Sequence, residues 1–195
     1  MIARMRPGGG LLVVVALLAT LTSCGRHAAI RQDPVLPPPV ARSAPTQPEP
    51  ACADGLRFTT EGGDAASGLR VMSVEVVNCG TEPVQLNGHP QVRLLDERWQ
   101  PLDVSVLPGS GGIAQVGGFD DPPQPITVRP GERARSAFLW RNTHTTTGPP
   151  QVGSHVDIAA APGGAWQSLV PVSPARDINI DLGNTGRVGV RAWYR

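Results

Sequence analysis

Glycine and proline interrupt this chain too often for long helices to survive. The 195 residues include 23 glycines and 21 prolines, more than a fifth of the total. In a helix interior glycine costs about 1 kcal/mol and proline about 3 kcal/mol relative to alanine. No segment carries a 3.6-residue apolar period, and what the punctuation leaves is a series of short extended stretches bounded by turns, the pattern of an all-β domain. The length suits one such domain with accessory segments and excludes two large catalytic domains. Basic and acidic side chains nearly cancel to a formal charge of +1, and aromatic residues make up 4%. A nucleic-acid binder would show a basic stripe interleaved with stacking rings, so no nucleic-acid partner is expected.

The first fifty residues read as an address and a tether. Arg4 and Arg6 precede an apolar run over residues 11–19 that extends to Leu21, the basic and apolar regions of an export signal. Eleven residues at about 1.5 Å each reach roughly 17 Å, short of a hydrocarbon core of about 30 Å. The run ends in Leu21-Thr22-Ser23-Cys24, which resembles the bacterial lipoprotein signal, in which the cysteine thiol takes a diacylglyceryl group. Cys24 is therefore the expected lipidation site and the first residue of the mature protein, with residues 1–23 removed; an ordinary secretory signal followed by a chance thiol is the competing reading. Two acyl chains on one residue make a stable anchor where one is marginal. Residues 24–50 carry seven prolines from Pro34 to Pro50 and few apolar side chains, so they form a disordered linker that extends to roughly 80 Å at about 3.1 Å per residue.

Setting Cys24 aside leaves Cys52 and Cys79, an even pair in an exported chain and hence an expected disulfide. Closing a loop of about 28 residues stabilises the fold by about 3.6 kcal/mol in the chain-entropy model. A metal or redox pair would need Cys-x-x-Cys spacing or a nearby histidine at ligand spacing, and neither occurs.

Over residues 51–195 the strand signals follow one another. Leu56, Phe58 and Thr60 alternate; Met72, Val74 and Val76 share one face while Ser73 and Glu75 take the other. Residues 84–86 are extended before Asn87-Gly88, a tight-turn pair. Val92, Leu94 and Leu95 and then Leu102, Val104 and Val106 flank Glu97-Arg98, which predicts a hairpin. Residues 108–125 are rich in glycine and proline and predict a long loop, the place where binding tends to sit on a β scaffold. Ala134, Ser136, Phe138 and Trp140 share a face after the turn Arg129-Pro130-Gly131-Glu132, and further strands are expected near 156–159, 166–170, 178–182 and 188–193.

Taken in order, Cys52, Val77-Asn78-Cys79-Gly80, Leu86-Asn87-Gly88-His89-Pro90, Leu94-Leu95-Asp96, Pro130-Gly131-Glu132, Trp140-Arg141-Asn142-Thr143 and Asp181-Leu182-Gly183-Asn184-Thr185-Gly186 resemble a domain of actinobacterial lipoproteins, the domain of unknown function 4232, over about residues 52–195. The resemblance implies an immunoglobulin-like antiparallel β-sandwich at the cell surface and brings no catalytic residues with it. His89 stands where the family pattern usually has an aromatic, and Val84 where many members carry a cysteine, so the pairing of Cys52 with Cys79 rests on the cysteine count.

Chemical groups are sparse. Gly109-Ser110-Gly111-Gly112-Ile113-Ala114 fits a dinucleotide fingerprint in letters only, because Gly117-Gly118-Phe119-Asp120-Asp121-Pro122-Pro123 cannot open the helix whose N-terminus would hold the pyrophosphate. No G-x-S-x-G elbow is present, and His89, His144 and His155 read as turn or surface residues. Asp120-Asp121 lacks the ligand alternation of a calcium loop. No metal or cofactor is expected. Among the tryptophans, Trp140 reads as core, while Trp99, at a turn, and Trp193, near the end of the sequence, read as exposed; with Phe119, Asp120 and Asp121 of the long loop they are the binding candidates. The expectation is a non-enzymatic module, lipid-anchored on the outer face of the cell membrane, that contacts a wall glycan or an envelope protein. The competing expectations are a structural envelope spacer and a hydrolase or transferase assembled from His155, Asp120 and a serine.

Overall fold

The computed structural model describes residue 50 and residues 52–195. The predicted signal segment, Cys24 and most of the proline-rich linker lie outside the described residues. The strands are β1 (Leu56–Thr60), β2 (Gly63–Ala66), β3 (Leu69–Asn78), β4 (Val84–Leu86) and β5 (Gln91–Leu95). They continue as β6 (Ser105–Pro108), β7 (Ile126–Val128), β8 (Arg133–Arg141), β9 (Val152–Gly153) and β10 (His155–Ala159). The last are β11 (Gln167–Ser168), β12 (Val170–Pro171), β13 (Ile180–Asp181) and β14 (Arg187–Val190). No helix occurs among the described residues, so the fold is all-β.

The principal sheet runs β12-β1-β3-β8-β14-β6, with β2 on the same edge of β3 as β1. Its centre is the antiparallel β3–β8 ladder from Leu69↔Arg141 to Val77↔Arg133. A second sheet runs β11-β10-β5, and β13-β9 and β4-β7 form two-stranded pieces. Alternation fixes which way each strand faces. Met72, Val74 and Val76 of β3 and Ala134, Phe138 and Trp140 of β8 meet Val92, Leu94, Val156 and Ile158 of the second sheet in one core.

Not every neighbour is the one that alternation suggests. The expected hairpin across Glu97-Arg98 does not form: β5 pairs with β10, and β6 pairs in parallel with β14. Only the bridge Leu95↔Pro101 and the bond from Leu102 N to Leu94 O connect the two expected arms. The β1–β12 pair is also parallel, so the sheet is mixed rather than antiparallel throughout.

Both faces of β8 are apolar, and the second is covered by the long loop. Ala137 and Leu139, with Leu69 and Val71 of β3, pack against Phe119, Ile113, Ala114 and Val116. Two glycines permit the approach. At Gly189 an added Cβ would lie 2.6 Å from Gly109 O, and at Gly109 (φ +64°) it would lie 2.5 Å from an Asp120 carboxylate oxygen.

Disulfide and polar pins complete the frame. Cys52 and Cys79 are bonded, as the cysteine count predicts. Asn78 is fully buried and uses its whole amide: Nδ2 donates to Glu82 O at 2.7 Å and to Val128 O at 2.8 Å, and Oδ1 accepts from Gly80 N at 3.0 Å. A buried amide satisfied in this way ties the end of β3 to the following turn and to β7.

Candidate binding surface

The second sheet has one face in the core and one turned outward. Val92, Leu94, Val156 and Ile158 point inward and are buried. The pairs Arg93↔Asp157 and Leu95↔His155 therefore stand on the outward face, and Ser168, opposite Asp157, joins them. At the Leu95–His155 end sits Trp99, which is 54% exposed and stacks on the His155 ring with centroids 3.7 Å apart and planes 10° from parallel. Toward the other end Trp166, 39% exposed, lies over the Arg93 guanidinium at 3.9 Å. These two are the exposed large apolar side chains among the described residues.

Local chemistry fixes Trp99 in place. The Asp96 carboxylate accepts from Arg98 N and Gln100 N, both at 2.8 Å, and Asp96 O accepts from Trp99 N at 3.1 Å. That Asx-type turn leaves Trp99 at φ +62°, a region that bulky side chains avoid. The turn so formed holds the indole over His155. Between the two tryptophans the face is polar, with Ser168 Oγ donating to Asp157 Oδ1 at 3.4 Å.

The other binding candidates are placed differently. Trp193 is not exposed: it is 2% accessible, its Nε1 donates to Ala160 O at 2.8 Å, and its ring lies 6.2 Å from that of Phe58. The cause is a slip in register. Val190 faces Phe138, but Tyr194 faces Arg135, one residue late, with Ser136 Oγ reaching Arg191 O at 2.7 Å inside the irregularity. An extra residue reverses which side chains point inward beyond it, so Trp193 enters the core. Phe119 is likewise buried, at 3%, because it caps the second face of β8.

Asp120 serves the loop itself. Its Oδ1 accepts from Ser110 N at 2.7 Å, and that bond, aided by the Ser110 side chain, holds its carboxyl below the usual carboxylate range. Asp121 faces Arg191 at 3.9 Å across one wall of a groove of about 530 Å³ between the loop and residues 191–195. The cations of that groove already have partners. Arg191 stacks on Tyr194 at 3.7 Å, and Arg195 contacts Glu132 at 3.2 Å. Glu132 is held below the ordinary range chiefly because Arg129 N donates to it, with Arg195 adding to the effect against an opposing desolvation.

His155 is committed to Trp99 and Asp120 to Ser110, and no described contact joins the two. The stretches Trp140-Arg141-Asn142-Thr143 and Asp181-Leu182-Gly183-Asn184 do meet. Asn142 Nδ2 donates to Asp181 Oδ2 at 2.8 Å, and Asn184 Oδ1 accepts from Thr145 N at 2.7 Å. These bonds are a side-chain lock between two loops.

Residues 52–194, which include this whole frame, match a family model described as a domain of unknown function (DUF4232). The chain belongs to the DUF4232 family. No curated protein and no solved structure matches it. Within this DUF4232 domain, Trp99 is exposed at its turn and Asp120 and Asp121 on their loop, as the sequence leads one to expect, whereas the exposure of Trp166 is not foreseen. Trp166 follows Pro162-Gly163-Gly164, a turn signal, while its partner Arg93 lies more than seventy residues earlier, beyond the reach of local pattern.

Proposed function

We propose that the protein is a non-enzymatic binding module, lipid-anchored through Cys24 on the outer face of the cell membrane, whose domain is an immunoglobulin-like sandwich carried on a proline-rich tether. The observation that carries the binding reading is the outward face of β11-β10-β5, where Trp99 and Trp166 are exposed yet each is braced by a stacked partner. Exposed aromatic side chains held rigid lose little entropy on contact, which suits recognition. The disulfide agrees with an oxidising compartment. The sequence Leu21-Thr22-Ser23-Cys24 supports acylation, and the convergence of the two sheets on one core supports the sandwich.

The test joins anchor and face. Mass spectrometry of membrane fractions should find a diacylated peptide beginning at Cys24, and the full chain should capture envelope material that a Trp99→Ala/Trp166→Ala double variant does not. Unmodified Cys24 in the native protein refutes the anchor. Equal capture by the double variant refutes this binding face, and no capture by the wild-type chain favours a structural spacer.

A further inference from the structure

The outward face of β11-β10-β5 has an unusual order of chemistry, with aromatic ends and a polar middle. Trp99 stands at the rung of Leu95 and His155, and Trp166 lies one residue before Gln167, which pairs with Ile158. The His155 and Ala159 rungs are four residue steps apart, about 13 Å at about 3.3 Å per step. Leu95 and Ala159 belong to this outward face by register yet are only 5% and 1% accessible, so its two ends are roofed over. Between them stand Arg93, Asp157 and Ser168, which supply donors and acceptors.

We propose that this face binds a linear glycan, with successive pyranose rings laid along β10 between the two indoles. The inference rests on the reading of the protein as a binding module and adds the ligand class and its site. A pyranose ring has an apolar C–H face and a rim of hydroxyl groups. The indole faces opposite His155 and Arg93 stack on the first, and the Arg93, Asp157 and Ser168 side chains hydrogen-bond the second. A protein partner fits the face less well, because hot spots gather apolar side chains at the centre and leave polar groups at the rim, the reverse of the order here. A polyanion fits less well again, since the Asp157 carboxylate at the centre of the face repels it. The span between the indoles exceeds one ring, so the ligand is an oligosaccharide or longer chain rather than a monosaccharide.

The experiment uses the full chain in detergent, with an N-acetylglucosamine hexamer as the soluble probe and protein-free peptidoglycan as the insoluble one. Wild-type protein should bind at least one of them. Trp99→Ala and Trp166→Ala should each weaken that binding by about tenfold, which corresponds to about 1.4 kcal/mol, and the double variant should abolish it. Trp99→Phe and Trp166→Phe should restore most of it, since a smaller ring still stacks. The proposal is overturned by a wild-type chain that binds neither probe, or by binding that survives the double substitution. Capture of an envelope protein through the two tryptophans without glycan binding also overturns it while leaving the binding-module reading standing; an unacylated Cys24 removes the anchor and leaves the glycan result untouched.

Discussion

Trp193 and Trp99 look alike in the sequence, and the fold assigns them opposite energetic roles. Trp193 is 2% accessible and packs by Phe58, with its indole N–H on Ala160 O. Truncation to alanine removes the ring from a close-packed core and leaves a cavity that relaxes only in part, at a cost of about 3–5 kcal/mol. Against a total stability of about 5–15 kcal/mol this is a large fraction. With a urea m-value of about 2 kcal/mol/M, the unfolding midpoint should fall by about 2 M. Trp193→Phe keeps much of the apolar area but removes the donor to the part-buried carbonyl of Ala160, so it should cost about 1 kcal/mol. Trp140→Phe provides the contrast. The Trp140 Nε1 is buried without an acceptor in the structure, so this substitution loses no hydrogen bond and should cost less than Trp193→Phe. Trp99→Ala, on the exposed face, should stay within about 1 kcal/mol of wild type. Equilibrium unfolding of the four variants decides the matter, and a Trp193→Ala penalty no larger than that of Trp99→Ala would refute the register slip at residues 191–193.

Other outcomes follow from particular contacts. Replacing Cys52 and Cys79 together by alanine should lower stability by about 3.6 kcal/mol, read from the unfolding midpoint, because a loop closed across 27 positions gains its freedom in the unfolded chain. The Asp120 carboxyl is held low in the fold while the unfolded value is about 3.9. Its contribution is therefore complete above that pH and disappears as pH falls through the lowered native value. The protection of the Ser110 amide against hydrogen exchange, relative to its intrinsic rate at each pH, should fall over the same acid interval, and in Asp120→Ala it should be low already at neutral pH. Burial lowers the imidazole of His89 below its usual value, so as pH drops below about 6.5 the unfolded chain takes up that proton first and stability declines. Thermal midpoints of His89→Gln should be flatter between pH 7 and pH 5 than those of wild type; an unchanged slope argues against the burial effect.

The sequence made the large strands legible and left many of their neighbours hidden. Met72, Val74 and Val76 alternate strictly because one face of β3 is fully buried, and the same pattern locates β8. Alternation names a face but not a partner, which is why Val104 and Val106 suggested a hairpin when β6 instead joins β14, about eighty residues away. The covering of the second face of β8 was written in Ala137 and Leu139, which lie between the residues of the first face and are equally apolar; Phe119 answers them. Nothing local marks the extra residue after Val190. No glycine stands at 191–193 to signal a bulge, so Trp193 could be placed only once its partners were known. The site was half legible: Trp99 stands out at a turn, whereas Trp166 gains significance only from Arg93 across the sheet.

The cross-link between Cys52 and Cys79 also decides how the domain responds when it is pulled. A force applied to the chain ahead of residue 52 passes through the sulfur atoms to residue 79, so β1, β2 and β3, all contained between the two cysteines, are taken out of the line of tension. The peripheral β1 is then not peeled from the sheet before the central β3 is reached. Under such tension the domain keeps its first three strands unloaded, and reduction would put β1 first in line to be stripped.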